Sequence, residues 1–237
     1  MTFRLHRPLF ASALGACLML LPALANAGNL GIAAKASTLG LGLEADYIIS
    51  DTLSVRVQVN QYDYDDTFDE DDIEYEGSLE LSSVGALIDW HPFGGGFRIS
   101  AGGFNVDNEI SGVGSGVGTY QIGDEEYTVD VGDTLQVTST MTLGDGFKPY
   151  LGIGWGHSPA NTGGLLLSFD VGILFQGSPE VDLDARGTAE DPFGNPVDFS
   201  TDPTVQAEVR KEEQNLEDDL KEFDLYPVVS FGIGWRF

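Results

Sequence analysis

Beyond its first 27 residues this chain has no cysteine, since the single one is Cys17. That excludes a disulfide framework, a thiolate metal site and a cysteine nucleophile. Histidine is scarce: of three, only His91 and His157 lie past the opening segment. No histidine metal cluster, phosphate loop or dinucleotide fingerprint is present, and no cofactor is expected. Basic residues are few, eleven Lys and Arg against 38 Asp and Glu. The formal charge of −27 becomes −29 once Arg4 and Arg7 are removed with the leader. A chain this acidic has no basic patch for nucleic acid. Also missing after residue 27 is any apolar run long enough for a membrane helix. A membrane protein without one must satisfy its backbone hydrogen bonds as a closed barrel.

The opening segment reads as a secretory signal peptide, residues 1–27. Arg4, His6 and Arg7 form a basic start, Leu9 to Leu24 an apolar run, and Ala25-Asn26-Ala27 a small-x-small cleavage site. The mature protein is expected from about Gly28, with residues 28–237 forming one domain. Leu14-Gly15-Ala16-Cys17 is a rival, a lipoprotein box. Cleavage there would leave an apolar stretch where a polar tether is usual.

What the mature chain does have is alternation. Leu53, Val55, Val57 and Val59 oppose Ser54, Arg56, Gln58 and Asn60; Leu151, Ile153 and Trp155 oppose Gly152, Gly154 and Gly156. A period of two marks half-buried strands. The final stretch shows it most clearly. In Leu225–Phe237 the residues Val229, Phe231, Ile233, Trp235 and Phe237 share one face, and Ser230, Gly232, Gly234 and Arg236 the other. The expected class is all-β, an antiparallel transmembrane β-barrel. Strand number is eight if Gly144–Gly146 and Gly177–Pro179 are bends in strands rising above the membrane, and ten if both are turns. Asp202 followed by Pro203 marks a helix start. The helix is expected to reach about Phe223 as an extracellular loop helix, with Val205, Val209, Leu216, Leu220 and Phe223 on one stripe.

The terminal strand resembles the last strand of bacterial outer-membrane barrels, which carries their assembly signal; the resemblance assigns that role to Val229, Phe231, Ile233, Trp235 and Phe237. From Gly28 to Phe237 the chain resembles the small barrels of the OmpA-like transmembrane superfamily. L-I-D-W-H-P-F-G-G-G-F-R, K-P-Y-L-G-I-G-W-G and Y-P-V-V-S-F-G-I-G-W-R-F are similar to a porin-like group within it. The acidic insert and the pre-terminal helix depart from the minimal eight-stranded pattern. The resemblance implies integral residence in the outer membrane, with lipid, lipopolysaccharide and the barrel-assembly machinery as partners.

If every apolar face meets lipid, the lumen receives Glu44, Asp46, Glu80 and Asp170 together with Arg56, Arg98, Lys148 and Arg236. Four acids against four bases form a paired interior, because an unpaired buried charge costs several kcal/mol. The glycines at 152, 154, 172, 232 and 234 either make room for larger neighbours or clear a water path. Asp63, Asp65, Asp66, Asp69, Glu70, Asp71, Asp72, Glu74 and Glu76 read as a solvated, cation-attracting loop. Divalent cations are candidate partners, although Phe68 stands where a calcium loop of the EF-hand type needs glycine. His157 beside Ser158 points to the opposite face in a strand and lacks an orienting acid, so no enzyme is expected. Two functions remain: a porin-like protein passing cations or small basic solutes, and a non-conducting structural or interaction barrel presenting acidic loops to partners or divalent cations.

Overall fold

The fold is described from a computed structural model, over residues 29–70, 73–129, 135–156, 158–160 and 163–237. The signal segment, the start at Gly28, and Asp71, Asp72 and His157 lie outside the described residues, as do the side chains of Asp69, Glu70 and Glu74.

The strands are β1 (Leu30–Ser37), β2 (Gly40–Ser50), β3 (Leu53–Glu70), β4 (Ile73–Trp90), β5 (Arg98–Gly116), β6 (Gly118–Ile122), β7 (Glu125–Val129), β8 (Leu135–Trp155), β9 (Gly164–Phe175), β10 (Glu180–Glu190), β11 (Pro196–Asp198) and β12 (Leu225–Arg236), with one helix, α1 (Pro203–Leu220), before β12. Eight of them close a ring: β1 through β5 pair in sequence, β5 pairs β8, then β8 pairs β9, β9 pairs β12 and β12 returns to β1. Every pairing is antiparallel, so the fold is an antiparallel transmembrane β-barrel with eight staves.

Both glycine-rich breaks are bends, which decides eight over ten. Strand β8 runs through Gly144–Gly146, where a register shift against Asn108/Glu109 inserts Leu143 as a bulge. Gly177, at φ +81°, turns β9 away from β12. The chain continues as β10 along the upper half of β8, with Val181 opposite Met141. One expected loop is therefore strand. The acidic stretch from Asp63 is not a disordered loop but the upper β3–β4 hairpin, paired residue by residue up to Glu70 and Ile73. Strand β5 runs on to Gly116, and the hairpin β6–β7 follows it, turning at Gly123.

The staves differ in height. At the end holding Asn29 and Phe237 the connections stay close to the ring. At the other end β3, β4, β5, β8 and β10 rise as a tall half-wall, while β1, β2 and β12 stop low. Long connections face outward in such barrels.

Side-chain polarity reverses along the tall staves. In the lower part Val57, Ile88, Trp90, Leu151, Ile153 and Trp155 are exposed on the outside, and Arg56, Asp89 and Arg98 are buried inside. In the upper part Tyr62, Leu79, Leu81 and Ile110 take the inner phase, and Asp63, Glu80 and Glu109 the outer one. Along β3, β4 and β5 the parity does not slip, and in β8 the Leu143 bulge shifts it once; the surroundings change, from lipid outside to water outside. The reversal places the membrane boundary near Val59, Val84 and Asn105.

Above it a second apolar core assembles on the inner face of the half-wall. Leu135, Ala185 and Ala189 meet Ile122, Tyr127 and Val129 of the hairpin, Phe199, and Val205 and Val209 of α1. Tyr127 packs edge-on against Phe199, centroids 4.8 Å apart, and burial pushes its phenol above the ordinary value. Helix α1 begins at Asp202, whose carboxylate accepts from the amides of Thr204 and Val205 at 2.8 and 3.2 Å. It ends at Leu220, short of the expected Phe223, which is exposed. The helix also closes an open edge: Glu213 and Glu217 accept from the free amides of Leu183 (2.8 Å) and Val181 (3.3 Å) on β10. Buried without such partners, those amides would be costly; left exposed, they would invite pairing with another chain.

Candidate functional site

The lumen holds two stacked layers. The lower one is ionic. Asp170 on β9 accepts from Arg98 (2.6 Å from Nη2, 3.1 Å from Nε), Lys35 Nζ (3.2 Å) and Arg56 Nη1 (3.3 Å). Glu44 accepts from Lys35 (2.8 Å) and Arg56 (3.0 Å). Asp89 binds Arg56 at 2.5 Å and accepts from Ser100 Oγ at 2.5 Å. Below them Arg236 pairs with Asp46 and donates to the Ser158 carbonyl at 2.9 Å.

The expected balance of four acids and four bases thus stands with two members exchanged. Glu80 is not a lumen charge: its residue is exposed on the outer face of β4, because Leu79 and Leu81 take the inner side where the half-wall clears the membrane. Lys148 faces inward but is half-buried above the network and forms no ion pair among the described residues. Lys35 and Asp89 take their places. Both were legible by parity, Lys35 opposite the face of Ile32 and Ala34, and Asp89 between Ile88 and Trp90. Leu87 hid Asp89, since an inward leucine broke the alternation.

The upper layer is apolar. Leu39, Leu87, Phe104, Val106, Tyr150, Leu174 and Val228 fill the cross-section, and Phe104 meets Tyr150 edge-on at 5.5 Å. Here the lumen glycines find their use. The Tyr150 ring lies where side chains on Gly152 and Gly172 would stand, Asp170 and Arg98 crowd Gly154, and Phe104 crowds Gly85. These glycines hold space for larger neighbours rather than a water path. Arg98, Ser100, Phe104 and Leu174 are each 0% exposed. A continuous water column would expose its lining, so the lumen is shut at both layers.

His91 is buried rather than solvated. Its ring sits 3.1 Å from Ser54 Oγ and 3.0 Å from the Gly95 carbonyl. A serine beside a histidine is the start of a hydrolase triad, but here a carbonyl stands in the orienting position and both groups are inaccessible.

The described part of the acidic stretch faces two ways. Asp63 and Asp65 share the outer face of β3, while Asp66 takes the inner phase and accepts from Tyr64 Oη at 3.2 Å. Register aligns Asp63 with Glu80, Glu80 with Glu109, Glu109 with Thr142 and Thr142 with Glu180. An acidic row therefore rings the half-wall directly above the apolar band. No group of three or more ligands suited to a metal ion occurs among the described residues. On β12 the side chains of Val229, Phe231, Ile233 and Trp235 lie on the outer face, and Phe237 follows exposed.

No family model and no curated protein matches the sequence. Among solved structures the fold is similar to two crystal structures of Acinetobacter baumannii proteins. For CarO2 the identity is 15% and the TM-score 0.57, covering 90% of this chain and all of that one. For CarO the values are 17% and 0.57, covering 88% and 98%. CarO is an outer-membrane β-barrel protein. At this identity the likeness is one of fold.

Proposed function

We propose that the protein is an integral outer-membrane barrel, channel-like in fold, that is closed in its ground state and acts through its outer half. The observation that carries this is the sealed lumen, in which a salt-bridged layer lies under an aromatic one and the lining is inaccessible. Residues 1–27 act as a cleaved signal peptide, and the outer face of β12, from Val229 to Phe237, engages the barrel-assembly machinery. The row Asp63, Glu80 and Glu109 stands at the level of lipopolysaccharide phosphates, where divalent cations bridge like charges. Residence in the outer membrane is supported by the apolar band and by the likeness to CarO.

The second reading is a porin-like protein passing cations or small basic solutes. The acidic outer rim favours it, as does the fold likeness to CarO. Passage then requires Phe104 and Tyr150 to leave the axis and the ionic layer to hydrate. Single-channel recording of the refolded protein in a potassium chloride gradient separates the two. Silence from wild type is expected. Steady cation-selective steps from verified folded barrels would sink the closed reading.

A further inference from the structure

Between α1 and the inner face of the half-wall lies a cavity of about 250 Å³. It is separate from both lumen layers and sits over the barrel mouth. Its walls are aliphatic, with Ile122 from β6, Leu183 from β10, and Val209 and Leu216 from α1. Three polar residues share this lining, Gln121 from β6, Ser139 from β8 and Glu212 from α1, and Glu212 is the charged one.

Glu212 differs from the acids around it. Glu208 accepts from the Asp124 amide at 3.1 Å, Glu213 and Glu217 cap β10, and Asp218 pairs with Lys221. The one lysine beside it, Lys211, is engaged by Asp124, and that hydrogen bond raises its pKa. Glu212 is half-buried and makes no hydrogen bond or ion pair among the described residues. A half-buried carboxylate without an ionic partner, set beside aliphatic side chains, favours a cation that can donate to it. The net charge, −29 without the leader, disfavours anions.

We propose that this cavity is a binding site for small primary ammonium compounds with an apolar body. At about 30 Å³ per water-sized group the space takes roughly eight non-hydrogen atoms. The ammonium donates to Glu212 and to Ser139 Oγ; the body lies against Ile122, Leu183, Val209 and Leu216. The inference rests on the outer half being the working part, and it names the ligand class recognised there.

The test is methyl NMR of the barrel in lipid nanodiscs, titrated with phenethylammonium, 2-phenylethanol and benzoate, which are matched in size. Phenethylammonium is expected to shift the methyls of Ile122, Val209 and Leu216 saturably, and the alcohol to bind about tenfold more weakly, the size of one charge-assisted hydrogen bond. The carboxylate is expected to leave them unmoved. Glu212→Gln should bring the ammonium down to the alcohol's affinity without changing the alcohol. Ser139→Trp, checked for folding by heat-modified gel mobility, should abolish both. Unmoved methyls, equal binding of the carboxylate, or an indifferent Glu212→Gln would overturn the site. A barrel that conducts yet binds would refute the closed ground state alone; one that is silent and fails to bind would refute the site alone.

Discussion

Removing Asp170 tests the view that the lower lumen is a neutral, fully paired layer. Three cations, Lys35, Arg56 and Arg98, face three anions, Glu44, Asp89 and Asp170, and all six are nearly inaccessible. Asp170→Ala deletes the acceptor of four cation hydrogen bonds and leaves one buried positive charge without a counter-charge. Breaking a buried pair from one side costs about 3–5 kcal/mol, most of it the stranded charge. The double variant Arg98→Met with Asp170→Leu removes one charge of each sign and restores balance between Lys35, Arg56, Glu44 and Asp89. Replacing a whole pair by apolar groups is close to neutral, so most of the loss should return. The assay is equilibrium unfolding in urea from lipid vesicles, read by tryptophan emission, since Trp90, Trp155 and Trp235 all lie on the outer face. With a slope of about 2 kcal/mol/M, the single variant should lower the midpoint by roughly 2 M. A midpoint within about 0.5 M of wild type, or a double variant no better than the single, would refute the network as an energetic unit.

Two further outcomes follow from the outer half. Glu213→Ala should leave the Leu183 amide of β10 without its acceptor, raising its hydrogen exchange about fivefold, as expected for about 1 kcal/mol, while amides of the lower staves stay unchanged. The turn after β10 should be sensitive to acid. Hydrogen bonds from Asn195 and Phe193 hold the Asp191 carboxyl below its ordinary value of 3.8. Because the folded value is the lower one, this stabilisation is complete above the unfolded value and is lost as pH falls through the folded one. Protection of the Asn195 amide should therefore be flat from neutrality to about pH 4 and decline below it; a decline beginning near pH 6 would contradict the assignment.

Much of the barrel was legible because a strand's parity is rigid. Trp235 and Arg236 of β12 each lie on the face that alternation gave them, and the Asp202-Pro203 start of α1 needed only local chemistry. What escaped was everything that depends on which solvent lies beyond each face. Alternation alone sends Glu80 to the lumen, because it matches Leu79 and Leu81 to lipid, the rule that holds for Ile88 and Trp90 on the same strand. Parity assigns Leu79 to one side and Ile88 to the other, and both assignments are correct; no single polarity rule covers them. The point of reversal is set by where the bilayer ends, and in β4 only the change from Val84 to Ser82 and Glu80 marks it. The same blindness hid the lumen plug. Leu87 and Phe104 are apolar and face inward within the membrane, which a polarity rule forbids and a narrow barrel requires, because eight staves leave only enough room for side chains. A closed interior can satisfy itself either with paired charge or with packed rings. This chain uses one above the other, and the second kind cannot be told from a lipid-facing residue until the ring is closed.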